Sequence, residues 1–313
     1  YHEHRRGVNA GYAKFETFPI WSIPLKHPVN IAYEAATADI ADYNLIDPFH
    51  MEAYGEVAIN YNRDVEIFPV LKRILKKIGG NGSLYKSPTD MGVNRAGFGI
   101  VDDEAVREAS RQEIIRRLFR YSCEYAMGFV DRETVQRVEL IMDELGLTVE
   151  NRPVVGPARQ AAQDAAAKGK GNEGIFCGAA LELPDGSIVT GKNSTLLHAA
   201  PGLILNAIKT LAGVPDQIHL LSPQIIESIR SLKGEVLGAR TVSLDLEETL
   251  IALAISAGTN PTAHAAMKEL PKLRNCEMHM THIPTPGDDA GLRKLGINCT
   301  SEPNFSTKNL LEF

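Results

Sequence analysis

The loop at residues 86–94 carries a dense set of reactive side chains. Its lysine, hydroxyls, carboxylate and amide suit phosphate binding, magnesium binding and proton transfer. These groups belong to Lys86, Ser87, Thr89, Asp90 and Asn94. Ser-Pro-x-Asp is also a helix-capping pattern with proline at the first helical position. Because the residues that follow are too rich in glycine for a stable helix, capping does not explain the whole loop, and a functional role is an equal alternative.

Three further polar clusters lie where predicted elements begin or end. They are Lys26-His27-Pro28, Asp47-Pro48-Phe49-His50 and Tyr61-Asn62-Arg63-Asp64. Each alone fits a helix cap or a surface ion pair, but together with residues 86–94 they predict a shared polar cleft. In it Lys26, Arg63 and Lys86 would neutralise phosphate, and Asp47 or Asp90 would hold magnesium or act as a base. The predicted catalytic residues are Lys86, Asp90, His27, Asp47 and His50, and the predicted cofactor-binding residues are Lys26, Arg63, Ser87, Thr89 and Asn94.

A second candidate site lies in Glu277-Met278-His279-Met280-Thr281-His282. The two-residue period of a strand places Glu277 and His279 on one face, and His282 on the other unless the strand ends before Pro284. A carboxylate with two imidazoles is a reasonable ligand set for zinc or another divalent ion, although this spacing is weakly specific. A role without metal and a structural role are the alternatives. Asp288 is a candidate N-cap of the helix that follows.

Hydrophobic periodicity divides the chain into a helical first half and an α/β second half. Helices are predicted at 27–43, 63–78, 102–125, 131–145 and 156–168, before the loop Lys168-Gly169-Lys170-Gly171-Asn172-Glu173-Gly174. The loop lacks P-loop spacing and a preceding strand, so it is interpreted as a linker. Strands are predicted at 175–183, 187–192, 218–221 and 276–281, and helices at 196–211, 223–232, 246–257 and 261–270. The predicted architecture is an all-helical domain (1–168), a linker (169–173) and an α/β layer domain (174–313).

The order of elements in the second half resembles the cytidine-deaminase-like architecture. In the zinc deaminases the two helices that carry the site begin H-x-E and P-C-x-x-C. The corresponding helices here begin at His198 and Pro223, with Ala200 at the glutamate position and Gln224 and Glu227 at the cysteine positions. The resemblance therefore implies the scaffold without the zinc site. His198 is interpreted as a structural histidine at a helix start.

Composition narrows the classes of function. The net charge of −6 offers no general attraction to nucleic acid or anionic lipid, so neither is expected as a partner. The four cysteines form no CxxC pair, which disfavours a zinc ribbon or a disulfide scaffold and fits a reducing compartment. Neither a run of about 18 apolar residues nor a signal peptide is found, so a cytoplasmic protein is expected.

Several long strings of the sequence resemble the bacterial domain-of-unknown-function family 1846. They are residues 12–21, 24–30, 46–50, 60–66 and 85–94, with the tail 281–311. The resemblance implies little about function, because members are uncharacterised, and the label of ATP-dependent peptidase that some carry has no chemical basis in these residues. It also implies a preceding domain that ends in a P-loop-like segment, so that this chain would be the C-terminal portion of a family member.

The sequence does not determine the function, and three hypotheses remain. The first is a nucleotide- or phosphometabolite-dependent cytoplasmic enzyme whose cleft faces the preceding domain, with ATP or another nucleotide and magnesium as cofactors and a phosphorylated small molecule as ligand. The second is a metal-dependent hydrolase or peptidase centred on Glu277, His279 and His282. The third is a non-catalytic binding protein that assembles as a homo-oligomer, and a homo-oligomer is the expected state.

Overall fold

The computed structural model describes residues 2–8, 19–79 and 84–306 and divides the chain into two compact units. The first unit comprises residues 1–121 and 128–148, and the second comprises residues 122–127 and 149–313. This division falls before the predicted linker, because the helix Val155–Ala167 packs against the strand Gly178–Glu182. Residues 169–173 therefore form a loop inside the second unit.

The first unit is mainly helical but contains a small sheet. Its helices are α1 (His2–Arg5), α2 (Pro28–Ala36), α3 (Pro48–Tyr54), α4 (Asn62–Gly79), α5 (Asp103–Ala126, whose last turn belongs to the second unit) and α6 (Arg132–Leu145). Strands β1 (Asn44–Ile46) and β2 (Ile59–Tyr61) pair antiparallel. The prediction of an all-helical first half is corrected by this sheet, whose three-residue strands are too short to show a period in the sequence.

Helix ends in the first unit follow local capping chemistry. The carboxylate of Asp131 accepts the Thr134 amide at 2.8 Å and begins α6. Gly146 ends the same helix in the left-handed region with φ 63°, which favours glycine because no Cβ clashes there. The helices predicted at 63–78, 102–125 and 131–145 are confirmed, because each buries apolar side chains such as Phe68, Ile114 and Val138. The helix predicted at 27–43 is shorter in the structure: α2 ends at Ala36, and a 3₁₀ turn (Ala38–Ile40) follows it.

The second unit is an α/β layer structure. Its helices are α7 (Val155–Ala167), α8 (Ala199–Leu211), α9 (Pro223–Ser231, continued by a π-helical turn to Val236), α10 (Leu246–Ala257), α11 (Pro261–Met267) and α12 (Pro286–Leu295). Its strands are β3 (Gly178–Glu182), β4 (Ile188–Lys192), β5 (Glu277–Met280) and β6 (Asn298–Ser301). They form one sheet of order β4-β3-β5-β6, in which β3 is antiparallel to both neighbours and β5 and β6 are parallel.

Strand β3 is buried on both faces. Ala179 and Leu181 face the main apolar core with α8, whereas Ala180 faces α7. Close approach of the helices depends on two glycines. A Cβ at Gly178 would lie 2.2 Å from the Ala158 carbonyl oxygen on α7, and one at Gly191 would lie 2.4 Å from the backbone of α8. The second unit combines helices with a four-stranded sheet, which confirms the α/β class predicted for this half.

Three details of the second half differ from the prediction. No strand forms at residues 218–221, which run as an irregular segment, while β6 was not predicted. Helix α12 begins at Pro286 with Thr285 as its N-cap, so Asp288 lies inside the first turn rather than capping the helix. Among the described residues, no helix combines the length and apolar character needed to cross a membrane.

Candidate functional site

Asp47 organises the polar side chains that the sequence singled out in the first unit. Its carboxylate is fully buried, and one oxygen accepts the amides of Phe49 at 3.0 Å and His50 at 3.1 Å, which caps α3. The other oxygen accepts the amide of Thr89 at 3.2 Å and its hydroxyl at 2.6 Å. Four donors occupy the lone pairs of this carboxylate, so it ties two segments together and has little capacity left for a ligand.

Ser87 and Asp90 complete this network. Ser87 is fully buried and caps the short 3₁₀ turn Pro88–Met91, and its hydroxyl lies 3.0 Å from Nδ1 of His50. Asp90 accepts the amides of Lys86 at 2.7 Å and Ser87 at 3.1 Å, which makes a capping box. Asp47, His50, Ser87, Thr89 and Asp90 are called the first-unit network below. The capping alternative accounts for most of its hydrogen bonds.

The other residues predicted for the cleft each have a different partner in the first unit. Lys26 pairs with Glu144 at 2.6 Å, and the guanidinium of Arg63 pairs with the buried Asp42 at 2.6 Å. Nε2 of His27 lies 2.9 Å from Asp103, while the Lys86 ammonium lies 5.1 Å from the centre of the Tyr54 ring and Asn94 accepts the Ala96 amide at 2.8 Å. The shared cleft therefore stays a prediction.

The second predicted site is divided by the end of β5. The carboxylate of Glu277 lies 2.6 Å from the buried guanidinium of Arg152, and Nδ1 of His279 lies 2.8 Å from the Thr300 hydroxyl. His282 lies beyond the strand, with Nδ1 2.9 Å from the Thr281 hydroxyl. Within the part of the chain that the structure describes, no group of three or more His, Cys, Asp or Glu side chains is placed to hold a metal ion.

A pocket of about 160 Å³ lies in the second unit where α8 and α12 begin. It is called the His198 pocket below. Its walls include His198 at the start of α8, Thr285 and Asp288 at the start of α12, and Ser243 just before α10. His282, one of the predicted metal ligands, also lines it. The pocket thus gathers side chains that are far apart in the sequence.

A buried carboxylate and an imidazole form the centre of this pocket. Asp288 is 2% exposed, and its Oδ2 lies 2.8 Å from Nδ1 of His198 and accepts the Thr285 hydroxyl at 2.8 Å. Its Oδ1 accepts the Leu246 amide at 2.9 Å. These contacts fix the carboxylate, which in turn fixes the ring and leaves Nε2 of His198 without a hydrogen-bond partner among the described residues.

A second polar group in the pocket also lacks a partner. The hydroxyl of Ser243 is buried, at 2% exposure of the residue, and makes no hydrogen bond within the described residues. A buried hydroxyl without a partner costs free energy, so such groups are rare in folded proteins. Beside a pocket, it offers a ready hydrogen bond to a ligand.

The charge of Asp288 sets the protonation of its neighbours. Burial alone lowers the pKa of His198, but the hydrogen bond and charge of Asp288, aided by the charge of Asp245, outweigh it and raise that pKa above 6.5. Burial, with the same charge of Asp288, raises the pKa of the Cys177 thiol to about 12. Burial lowers the pKa of His282. Near neutrality Cys177 therefore stays a thiol and is a poor nucleophile.

Comparison with known proteins assigns the chain to a family. Residues 1–146 match the family described as "Domain of unknown function DUF1846, N-terminal", and residues 150–311 match "Domain of unknown function DUF1846, C-terminal". The chain belongs to the DUF1846 family. The resemblance found in the sequence is confirmed, but the expectation that the chain is only the C-terminal portion is not borne out, because the N-terminal model matches as well.

The relatives of this DUF1846 chain carry names without a function. The UPF0371 proteins of Clostridium botulinum strains Langeland and Okra are each 55% identical to it over 311 residues, which is 99% of this chain and 62% of theirs. The chain thus spans 62% of the length of these relatives.

Proposed function

We propose that the chain is an enzyme that transfers protons through the His198–Asp288 pair and acts on a small molecule bound in the His198 pocket. One observation carries this proposal: a buried carboxylate holds Nδ1 of His198 at 2.8 Å and leaves Nε2 unpaired beside a cavity. This is the arrangement that orients a general base and stabilises the imidazolium it becomes.

The reaction class that fits is hydrolysis or group transfer. Nε2 of His198 takes a proton from water or from the hydroxyl of an acceptor, and the oxygen so activated bonds to the electrophilic atom of the substrate. As the bond to the leaving group breaks, the imidazolium returns the proton to that group. Asp288 holds the ring in place and stabilises the charge that forms. The unpaired hydroxyl of Ser243 hydrogen-bonds the substrate. Nucleophilic catalysis by Cys177 is disfavoured, since its pKa of about 12 keeps it protonated.

The scaffold that we propose for the second unit is that of the cytidine-deaminase-like proteins without their zinc. The sheet order β4-β3-β5-β6 and the meeting of the starts of α8 and α12 support it. The deaminase signature then falls on His198 and on residues 284–288, with Thr285 and Asp288 at the two cysteine positions. Because Thr285 hydrogen-bonds Asp288 and Ala200 replaces the glutamate, this donor set does not fit zinc. In this scaffold the His–Asp pair activates the attacking oxygen.

For the ligand we propose, from the sequence, a nucleotide or another phosphorylated metabolite, in a cytoplasmic homo-oligomer. Magnesium, if the ligand carries it, would come with the phosphates rather than through Asp47 or Asp90. The hydrogen bonds that saturate Asp47 and the capping box of Asp90 support this choice.

The test is turnover of a panel of nucleotides and phosphorylated metabolites, followed by mass spectrometry, for the wild type, His198→Ala and His264→Ala. His264 is exposed on α11 and serves as the matched control. We expect turnover of at least one compound to fall by about 10²–10⁴ in His198→Ala, the usual contribution of a general base, and to be unchanged in His264→Ala. Full turnover of that compound by His198→Ala would contradict the proposal.

A further inference from the structure

A second pocket, of about 730 Å³, adjoins the His198 pocket in the second unit. Its walls come from the end of α7, the loop 168–171, the end of β4 and one side of α8. The segment interpreted from the sequence as a linker is thus a pocket wall. Four lysines line this pocket, which is called the lysine pocket below: Lys168, Lys170, Lys192 and Lys209.

Most of these ammonium groups are not neutralised by the protein. Within the described residues, no hydrogen bond or ion pair engages the ammonium of Lys168, Lys170 or Lys192. Lys209 is 9% exposed and donates to the Asp216 carbonyl at 3.0 Å, which leaves further N–H groups available. Asp164 is the acidic residue among those that line the pocket, and it accepts a hydrogen bond from Gln160. Positive charge is therefore concentrated here in a chain whose net charge is −6.

The balance of charge indicates what kind of anion this pocket suits. Four lysines face one aspartate, so one carboxylate on a ligand would leave most of the positive charge without a partner. A phosphate monoester carries a charge of about −1.5 to −2 near neutrality and a diphosphate carries more. Lysine acts as a point charge whose ammonium donates hydrogen bonds to phosphate oxygens in many directions. The lysine pocket thus suits phosphate or diphosphate.

The two pockets adjoin each other and share part of their walls. Asn193 and Ser194 line both of them. Asn193 is held rigidly, because its side chain accepts the Cys177 amide at 2.9 Å and donates to the Ile175 carbonyl at 3.0 Å. The His198 pocket, at about 160 Å³, is below the roughly 300–1,000 Å³ typical of small-molecule sites, whereas the lysine pocket lies within that range. A ligand with its reacting end at His198 would extend past Asn193 into the lysine pocket.

We infer that the substrate carries a phosphate or diphosphate that binds in the lysine pocket and positions the reacting end of the substrate against His198. This inference rests on the proposed function, and it adds the binding site for the anionic part. Binding energy gained at the phosphate is then used to orient the reacting group, as in other enzymes that hold substrates by a remote anion.

Isothermal titration calorimetry with inorganic pyrophosphate as the probe tests the inference on the intact chain. The variant is the triple substitution Lys168→Gln, Lys170→Gln and Lys192→Gln. The matched control is Lys76→Gln, Lys77→Gln and Lys268→Gln, which changes the net charge equally at exposed lysines elsewhere. We expect the first triple variant to bind pyrophosphate about ten- to a hundredfold more weakly than the wild type, and the control to bind as the wild type does. Circular dichroism checks that both variants fold.

Competition by phosphorylated metabolites and nucleotides then identifies the source of the phosphate. The compound that displaces pyrophosphate most strongly from the wild type should also be turned over, with a KM raised at least tenfold in the first triple variant. Equal affinity of wild type and first triple variant for pyrophosphate, or no binding to the wild type at millimolar concentration, would overturn the inference. His198→Ala should keep pyrophosphate affinity, so its loss of turnover reports on the proposed function separately.

Discussion

The first-unit network and the His198 pocket are built from the same kinds of side chain, but they differ in how their hydrogen bonds are used. In the network, the Asp47 carboxylate accepts hydrogen bonds from backbone amides and from the Thr89 hydroxyl, and Ser87 and Asp90 cap a turn. In the pocket, the Asp288 carboxylate has three hydrogen-bond partners, yet one of them, His198, keeps one ring nitrogen unpaired among the described residues, beside a cavity.

The difference shows where chemistry is expected in this fold. A buried network that satisfies itself stabilises the chain and has little left to offer a ligand. The buried Ser243 hydroxyl has no partner among the described residues, and this carries a free-energy cost that a bound substrate would offset. Unsatisfied polar groups beside a cavity therefore mark the site better than the density of reactive residue types does.

The largest expected effect is on turnover by the Asp288→Asn variant. The amide removes the charge that stabilises the imidazolium of His198, and one of its positions donates instead of accepting. We expect turnover of the substrate found in the panel to fall by about 10²–10⁴. The mass-spectrometric assay measures turnover. The control is Asp289→Asn, which changes the neighbouring, partly exposed carboxylate on α12. Turnover lost equally in both variants would contradict a specific role for Asp288.

The Asp47→Ala variant should lose stability and keep turnover, the opposite of what is expected for Asp288→Asn. It removes the cap of α3 and the hydrogen bonds to Thr89, so we expect the free energy of unfolding to fall by about 2–4 kcal/mol. Turnover per folded molecule should be unchanged. Urea denaturation measures the stability, with Glu52→Ala, an exposed acid on the same helix, as the control. A variant of normal stability and greatly reduced turnover would move the active site to the first unit.

Two buried serines of the second unit provide a finer comparison. Ser256 is 1% exposed, donates to the Ala252 carbonyl and accepts the Ser222 amide, so Ser256→Ala should lower the free energy of unfolding by about 1–2 kcal/mol. Ser243→Ala removes a hydroxyl without a partner and should leave stability unchanged or raise it by up to about 1 kcal/mol. Substrate affinity should fall about three- to tenfold in Ser243→Ala alone. Equal destabilisation by both changes would mean that Ser243 is satisfied in the folded protein.

The smallest expected effect concerns acid stability. The close approach of His279 Nε2, 3.5 Å from the Glu302 carboxylate, and then the hydrogen bond from Arg159 lower the pKa of Glu302 to about 2, below the ordinary 4.5. Because folding lowers this pKa, the ionised Glu302 stabilises the folded state in full above pH 4.5, and this stabilisation is lost as the pH falls toward 2. We expect the free energy of unfolding, measured by urea denaturation, to fall between pH 7 and pH 3 by less in Glu302→Gln than in the wild type. The difference should be about 1 kcal/mol after solvent screening. In Glu235→Gln, a control at an exposed position, the free energy of unfolding should fall with pH as it does in the wild type.

The sequence predicted the helices of this fold better than its strands. Long amphipathic stretches such as α4 and α6 have enough turns for a period to emerge, whereas β1 and β2 have three residues each. The strand expected at 218–221 was wrong, because four residues with three apolar side chains do not distinguish a strand from an irregular segment that buries two of them, Leu220 and Leu221. The hairpin around Gly186 was confirmed, since Pro-Asp-Gly is a strong turn signal.

The candidate site was hidden from the sequence for a different reason. His198 and Asp288 are 90 residues apart, and only the sheet that places β5 beside β3 brings the helix starts together. Both α9 and α12 begin with a proline, so the sequence alone could not decide which of the two helices starts beside His198.

The pKa of His198 tests the proton-transfer pair most directly. Nuclear magnetic resonance of ¹³C-labelled histidine can follow the His198 ring through pH 5–9 in wild type and Asp288→Asn, with His198→Ala for assignment. A wild-type pKa above 6.5 is expected, and a lower pKa in Asp288→Asn, because burial is then opposed by the charge of Asp245 without that of Asp288. A His198 that titrates at or below 6.5 in the wild type, or equally in both proteins, would contradict the charged His198–Asp288 pair.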